Sequence, residues 1–204
     1  MSLEVDVPDS GRESSAEKAR EDSWVPQDVL VGVSQRDPDA LARFFDAAFP
    51  YVYNLALRLT GNQHTAEDVT QEVFLKIHRA ADRLDPERHP RPWVTTITYN
   101  AVRDVARRRS TRPEDAVDSS EIAERGSVPG TPEDELIRRE REQLLERALG
   151  ELDEESRTVV ILHDFGGHSH EEIAGIVDAS HAAVRKRYSR ALQRMAEIIR
   201  GLME

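Results

Sequence analysis

Two segments of the sequence concentrate arginine and lysine, the side chains that bind phosphate oxygens and the edges of bases. Residues 88–112 contain one acidic side chain, Asp104, and residues 181–200 contain one, Glu197. The whole chain of 204 residues has a net charge of −11, but binding responds to the local potential rather than to the sum of charges. The two segments therefore predict two nucleic-acid-binding surfaces on an acidic chain.

The second basic segment has the pattern of a helix-turn-helix. Ser169 to Glu172 form a capping box that starts a short helix, and the turn Asp178-Ala179-Ser180 leads into a longer one. One face of the longer helix is predicted to carry Val184, Tyr188, Ala191, Leu192 and Met195, and the other Arg185, Lys186, Arg187, Arg190 and Arg194. The second helix of this motif enters the major groove. The other interpretation is an amphipathic surface helix whose arginines are only solvated. The capped helix and the short turn that precede the basic helix disfavour this interpretation.

The first basic segment combines arginines with aromatic side chains. Trp93 and Tyr99 lie six positions apart, and Asn100 and Arg103 follow. Single-stranded bases bind by stacking on aromatic rings while basic groups hold the backbone. The pattern favours a core position for Trp93 and leaves the role of Tyr99 open, and the basic run 107–109 could equally complement a helix C-terminus.

The sequence offers little catalytic chemistry. Among the seven histidines, His168 and His170 are two apart, a spacing that does not place two ligands on one helical face, and no third ligand follows. Cysteine is absent, as is a glycine-rich phosphate loop. We predict no enzymatic activity, no catalytic residue, no metal and no cofactor. No apolar run reaches the ~20 residues of a membrane span, so a soluble, cytoplasmic protein without membrane contact is expected.

Helical spacing of apolar residues predicts an all-α protein with two small domains. The expected order is a disordered acidic tail (1–24), a first helical domain (25–111), a flexible acidic linker (112–132) and a helix-turn-helix domain (133–204). The linker prediction rests on its prolines, glycines, serines and acids, which show no apolar period.

Three local features refine the helix boundaries. Pro50 is expected to kink or split a helical run that ends at Gly61. Thr65 to Asp68 resembles a capping box and predicts a helix beginning there. The proline-rich segment 85–92 is expected to be irregular, with the next helix starting at Trp93.

Several ordered motifs resemble those of the extracytoplasmic-function (ECF) group of bacterial sigma factors. They are Ala66-Glu67-Asp68-Val69-Thr70-Gln71-Glu72-Val73-Phe74-Leu75-Lys76, Trp93-Val94 with Ile97 and Asn100, Asp104-Val105-Ala106-Arg107-Arg108-Arg109, Leu149-Gly150-Glu151-Leu152, Ser169-His170-Glu171-Glu172-Ile173-Ala174 and Val184-Arg185-Lys186-Arg187. The resemblance covers about 25–111 and 133–202. It implies that the two domains are sigma regions 2 and 4.

The resemblance also implies site residues. Core RNA polymerase would be bound, through the clamp helices of its largest subunit, by Asp68, Gln71, Glu72 and Phe74. The −10 promoter element would be read and melted by Arg88, Arg91, Trp93, Tyr99, Asn100, Arg103, Arg107 and Arg108. The −35 element would be bound by Ser169, His170, His181, Arg185, Lys186, Ser189 and Arg190.

The partners implied by the resemblance are core polymerase, at its clamp helices and flap, promoter DNA and an anti-sigma factor. The sequence departs from the family at two places. The turn is Asp178-Ala179-Ser180, whereas many members have a turn that begins with glycine, and Ala182-Ala183 stands where Gly-Thr is frequent. The promoter sequence is therefore left open. The main alternative is a helix-turn-helix regulator that binds DNA without polymerase, and a protein-binding adaptor is the next.

Overall fold

The computed structural model describes residues 24–111 and 132–203. The predicted tail, apart from Trp24, and the predicted linker, apart from Pro132, lie outside the described residues. All regular elements within the described residues are helices, which confirms the all-α prediction. None of the described helices has both the length and the apolar character that crossing a membrane requires.

The helices are numbered in chain order. They are α1 (Gln27–Ser34), α2 (Pro38–Thr60), α3 (Gln63–Arg79), α4 (Arg91–Thr111), α5 (Pro132–Gly150), α6 (Glu154–Val160), α7 (His170–Val177) and α8 (His181–Met203). A 3₁₀ turn, Ala81–Arg83, follows α3, and a π-helical segment, Ile161–Phe165, continues α6.

Helices α1 to α4 form the first helical unit around one apolar core. Phe44, Val73 and Ile77 are fully buried there, and Val94 joins them from α4. Within a helix the buried residues recur at three- and four-residue steps, as Ala66, Val69, Val73 and Ile77 do in α3, which places them on one face. Burying a side chain of this size stabilises the fold by about 1.5–3 kcal/mol.

Helix α2 is continuous, so, of the two predicted effects of Pro50, the split was wrong. Proline cannot donate a hydrogen bond to the carbonyl of Asp46, but both residues are exposed, and water can satisfy that carbonyl. The predicted end at Gly61 was correct. Asp37 caps the start by accepting a hydrogen bond from the backbone N–H of Ala40, and Gly61 ends the helix at φ 64°.

Two helix starts lie earlier than predicted. Helix α3 begins at Gln63 because Asn62, rather than Thr65, is its N-cap and accepts a hydrogen bond from the Thr65 N–H at 2.8 Å. Helix α4 begins at Arg91 instead of Trp93. Proline is compatible with the first turn of a helix, where its missing N–H has no intrahelical partner, so Pro92 does not delay the start.

Helices α5 to α8 and the π-helical segment form the second helical unit. Its interior includes Ile161, Leu162 and Ile173, with Val184 from α8. The predicted capping box is confirmed, because the Ser169 side chain accepts from the Glu172 N–H and the Glu172 carboxylate accepts from the Ser169 N–H. Leu192, predicted to face inward, is instead 40% exposed. It lies at the edge of the apolar face, one position after the buried Ala191.

Candidate nucleic-acid and protein interfaces

The outward face of α8 brings five of the predicted −35 residues together. They are His181, Arg185, Lys186, Ser189 and Arg190, and all are exposed. Val184, Ala191 and Met195 bury the opposite face and fix the rotation of the helix. Arg187 departs from the predicted basic face, since it is half-buried and forms an ion pair with Glu155.

The remaining predicted −35 residues, Ser169 and His170, lie at the start of α7. The Ser169 hydroxyl is already used as the helix cap. The His170 ring stacks on His163, with centroids 4.7 Å apart, and meets the edge of Tyr188 at 5.0 Å. Burial, followed by the nearby His163, His181 and Arg185, lowers the pKa of His170. A phosphate approaching this ring would favour the protonated form.

Tyr188 connects the basic helix to the rest of the second unit. Its hydroxyl donates to Asp164 Oδ1 at 2.8 Å, and the same oxygen lies 2.7 Å from His163 Nδ1. Burial, and then the neighbouring Asp164, raises the pKa of Tyr188 to about 12. The phenol therefore stays protonated and donating throughout the physiological range. Sequence reasoning placed Tyr188 in the apolar face but missed this link, which depends on a partner 24 positions away.

The predicted −10 residues of α4 do not form one continuous exposed surface. Asn100, Arg103 and Arg107 line an open depression of about 550 Å³ together with Glu154 of α6. Tyr99, next to this depression, is half-buried against the second unit, with the Arg103 guanidinium 5.7 Å from its ring.

The other predicted −10 residues lie elsewhere. Trp93 packs against the first core. Arg88 is highly exposed and pairs with Asp85. Arg108 forms an ion pair with Glu72 at 2.8 Å. Arg91 lies 5.5 Å from both the Trp24 and Tyr51 rings.

The predicted polymerase-binding residues border an apolar groove between α2 and α3. Gln71 and Phe74 line this groove, which has a volume of about 800 Å³, together with Phe49 and Leu75. Phe49 is 51% exposed and Leu75 is 58% exposed. Sequence reasoning missed both, although an apolar side chain outside the buried stripe of an amphipathic helix was a detectable signal for Leu75.

Asp68 and Glu72 differ in their availability beside this groove. Asp68 is exposed. Glu72 is partly buried, which pushes its pKa upward, but hydrogen bonds from Arg108 and Lys76 outweigh this effect and the net pKa is lowered. Lys76 continues the ion-pair network to Asp104 of α4 at 3.1 Å. Glu72 therefore also links α3 to α4.

Comparisons with known proteins identify both helical units. The family model "Sigma-70 region 2" matches residues 44–112, and "Sigma-70, region 4" matches residues 142–195. The RNA polymerase sigma factor CarQ of Myxococcus xanthus is 33% identical over 162 residues, which is 79% of this chain and 90% of that protein. This chain belongs to the sigma-70 family of RNA polymerase sigma factors. Its ECF character is supported by SigE of Mycolicibacterium smegmatis, which is 34% identical over 72% of the chain, although the match spans 57% of SigE.

Solved structures of similar fold extend the comparison. The sigma factor RpoE of Bartonella quintana, in complex with the anti-sigma factor NepR, has a TM-score of 0.62 at 24% identity and covers 75% of this chain and 92% of that one. CnrH, in complex with the cytosolic domain of CnrY, has a TM-score of 0.61 at 24% identity and covers 86% and 97%. At 24% identity, the similarity to these two structures supports the fold alone. The resemblance to ECF sigma factors is confirmed, while the site residues and domain boundaries remain predictions.

Proposed function

We propose that this sigma factor directs core RNA polymerase to promoters by reading a −35 element with α8 and a −10 element with α4. The observation that carries the proposal is the exposed basic face of α8 behind the capped helix α7. Placed in a major groove, the N-terminal half of α8 would present Arg185 and Arg190 to bases and phosphates. Such a protein acts in the cytoplasm as an initiation factor rather than as an enzyme.

The −35 assignment is tested by run-off transcription with purified core polymerase on a library of promoter fragments. Replacing Arg185 and Arg190 by alanine should abolish specific transcripts and leave polymerase binding unchanged, because both side chains are exposed and neither lines the groove between α2 and α3. Arg200→Ala removes an exposed arginine from the C-terminal end of the same helix and is the matched control. Unchanged transcripts from the double variant would refute the assignment.

The groove between α2 and α3 is the proposed docking site for the clamp helices of polymerase. An exposed apolar groove bordered by polar side chains is typical of a protein-binding surface. Gln71→Ala should weaken core binding measured by fluorescence anisotropy, and Leu75→Ala should weaken it further because more apolar contact is lost. Gln63→Ala, an exposed glutamine at the start of the same helix, is the control. Equal affinities for all of these variants would remove the docking proposal.

An anti-sigma factor is also a proposed partner, as in the RpoE–NepR and CnrH–CnrY complexes that share this fold. Such a protein would prevent initiation by covering the surfaces that polymerase and promoter need.

The alternative of a polymerase-independent regulator predicts a different result in the transcription experiment. A regulator would bind its promoter tightly without polymerase and would direct no transcripts with it.

A further inference from the structure

Three histidine rings lie side by side next to the basic face of α8. His163 comes from the π-helical segment, His170 from the start of α7 and His181 from the start of α8. The His170 ring is at the centre, with its centroid 4.7 Å from that of His163 and 6.3 Å from that of His181. These three residues form the histidine cluster. The cluster connects both helices of the helix-turn-helix to the segment that precedes them.

Around His170, the groups that can carry positive charge outnumber the acids. Arg185 of α8 lies near its ring together with the other two histidines, and Asp164 is the acid that opposes them. Asp164 Oδ1 already lies 2.7 Å from His163 Nδ1 and accepts from the Tyr188 hydroxyl at 2.8 Å. Burial, and then the neighbouring positive groups, lower the pKa of His170. A proton on this ring therefore lacks a free negative partner.

Charged side chains on the elements around the cluster are engaged in other contacts. These contacts are the capping box for Glu172, Arg187 for Glu155, the Phe165 ring for Arg58, and the rings of Trp24 and Tyr51 for Arg91. Arg91 also acts on His168, which lies two positions before the cluster residue of α7. Asp164 therefore remains the acid that can balance a proton on His170.

One ring atom of His170 has an unmet hydrogen-bonding capacity. Its Nε2 is buried and makes no hydrogen bond within the described parts of the chain. A neutral imidazole can leave this nitrogen as an acceptor and carry its proton on Nδ1, whereas a protonated ring donates from both nitrogens. A buried charged donor without an acceptor costs more than an unpaired neutral group. The free protein thus favours the neutral ring, and an external acceptor would favour the protonated one.

Promoter DNA supplies such an acceptor in its phosphates. His181 and Arg185 are exposed on the face of α8 that would enter the major groove, so the phosphates that border the groove approach the cluster. We propose that the histidine cluster binds a phosphate of the −35 element in its protonated form, so that DNA binding takes up a proton and promoter affinity rises as the pH falls. The inference rests on the proposed role of α8. Because the bound ring has the higher pKa, the gain in affinity begins near that pKa and is complete below the pKa of the free ring.

Fluorescence anisotropy of polymerase holoenzyme on a labelled duplex measures the effect as a function of pH. The duplex carries the −35 element of a promoter mapped by run-off transcription, and EDTA in all buffers keeps metal ions away from the rings. Uptake of one proton changes the affinity by up to roughly tenfold per pH unit. We expect Kd to fall roughly fivefold from about pH 7.5 to about pH 6. A duplex with a scrambled −35 element gives the pH dependence of binding outside this contact.

Three variants locate the source of the pH dependence. His170→Gln keeps a polar side chain that takes up no proton, and it should reduce the change in Kd to less than about twofold. His181→Gln removes a group that lowers the pKa of His170, so it should move the pH dependence to higher pH. The His181 side chain is exposed, so this variant also decides the question if His170→Gln does not fold by circular dichroism. His64→Ala, at a side chain 89% exposed in the first unit, should keep the full pH dependence.

The outcomes separate this inference from the proposed function. A −35 duplex that the holoenzyme does not bind at any pH refutes the proposed function, and the inference with it. If the duplex binds with an affinity that is independent of pH, or that changes equally in the parent, His170→Gln and His181→Gln, the inference alone is refuted. Loss of the pH dependence in His64→Ala would also overturn the inference, because the protons would then be taken up outside the histidine cluster.

Discussion

Replacing Tyr188 with phenylalanine tests how the DNA-binding helix is held in place. The substitution keeps the aromatic ring, whose centroid lies 4.4 Å from that of His163, and removes only the hydroxyl that donates to Asp164 at 2.8 Å. Asp164 would keep its contact with His163, and water would replace the phenol. We expect the second unit to lose stability and α8 to lose some of its fixed orientation on the π-helical segment.

The expected magnitude follows from the charge and exposure of the pair. A hydrogen bond to a charged group contributes about 1.5–3 kcal/mol. The Asp164 side chain is 37% exposed, so hydration recovers part of this contribution, and we expect a loss of about 1 kcal/mol in the free energy of unfolding. For a unit of this size, that loss lowers Tm by about 4–8 °C.

A double-mutant cycle with Asp164→Asn isolates the interaction from other effects of each substitution. Calorimetry of the four proteins gives the coupling energy, and −35 duplex binding by polymerase holoenzyme gives the functional consequence. Tyr53→Phe is the control, because the Tyr53 hydroxyl makes no hydrogen bond within residues 24–111 and 132–203. A coupling energy of zero, with Tyr188→Phe as stable as the parent, would show that the hydroxyl does not support the helix.

Three further predictions concern packing, backbone and pH. Phe44→Ala removes a fully buried ring and should cost about 3–5 kcal/mol in the free energy of unfolding, measured by urea denaturation. Gly61→Ala adds a methyl group that meets no atom within 4 Å, so left-handed backbone strain alone should cost about 1–2 kcal/mol; an unchanged Tm would contradict this. Burial lowers the pKa of His168, and Arg91 and His89 lower it further against the opposing Glu172, so the free energy of unfolding should have its full value above about pH 6.5 and fall below it. Urea denaturation at a series of pH values should show this loss, and His168→Ala should remove the part of it that His168 causes.

Local sequence patterns predicted much of the fold. They failed where two capping residues compete and where a contact joins residues that are far apart in the sequence. The capping box at Ser169 and the C-terminal glycine at Gly61 were correct because both signals act within four residues. The start of α3 was wrong because two capping residues compete there, and Asn62 prevails over Thr65. The His168 Nε2 lies 3.1 Å from the Tyr51 hydroxyl and 2.8 Å from Thr95 Oγ1, and the first of these contacts joins positions 117 apart. No periodicity in the sequence encodes such a pair, so the contact between the units could not be predicted.

The contact between the two helical units differs in chemistry from the core of the first unit. Inside the first unit, Phe44 and Ile77 are fully buried among apolar neighbours, and exposing them would lose their hydrophobic stabilisation. Between the units, His168 hydrogen-bonds to Tyr51 and Thr95, and water replaces such bonds at a net cost of about 1 kcal/mol each. Beside them, Leu55 of the first unit is buried against Ile161 and Leu162 of the second. The contact between the units therefore combines hydrogen bonds with apolar burial, whereas the core of the first unit relies on apolar burial. Removing one hydrogen bond of His168 should cost less in the free energy of unfolding than truncating Phe44.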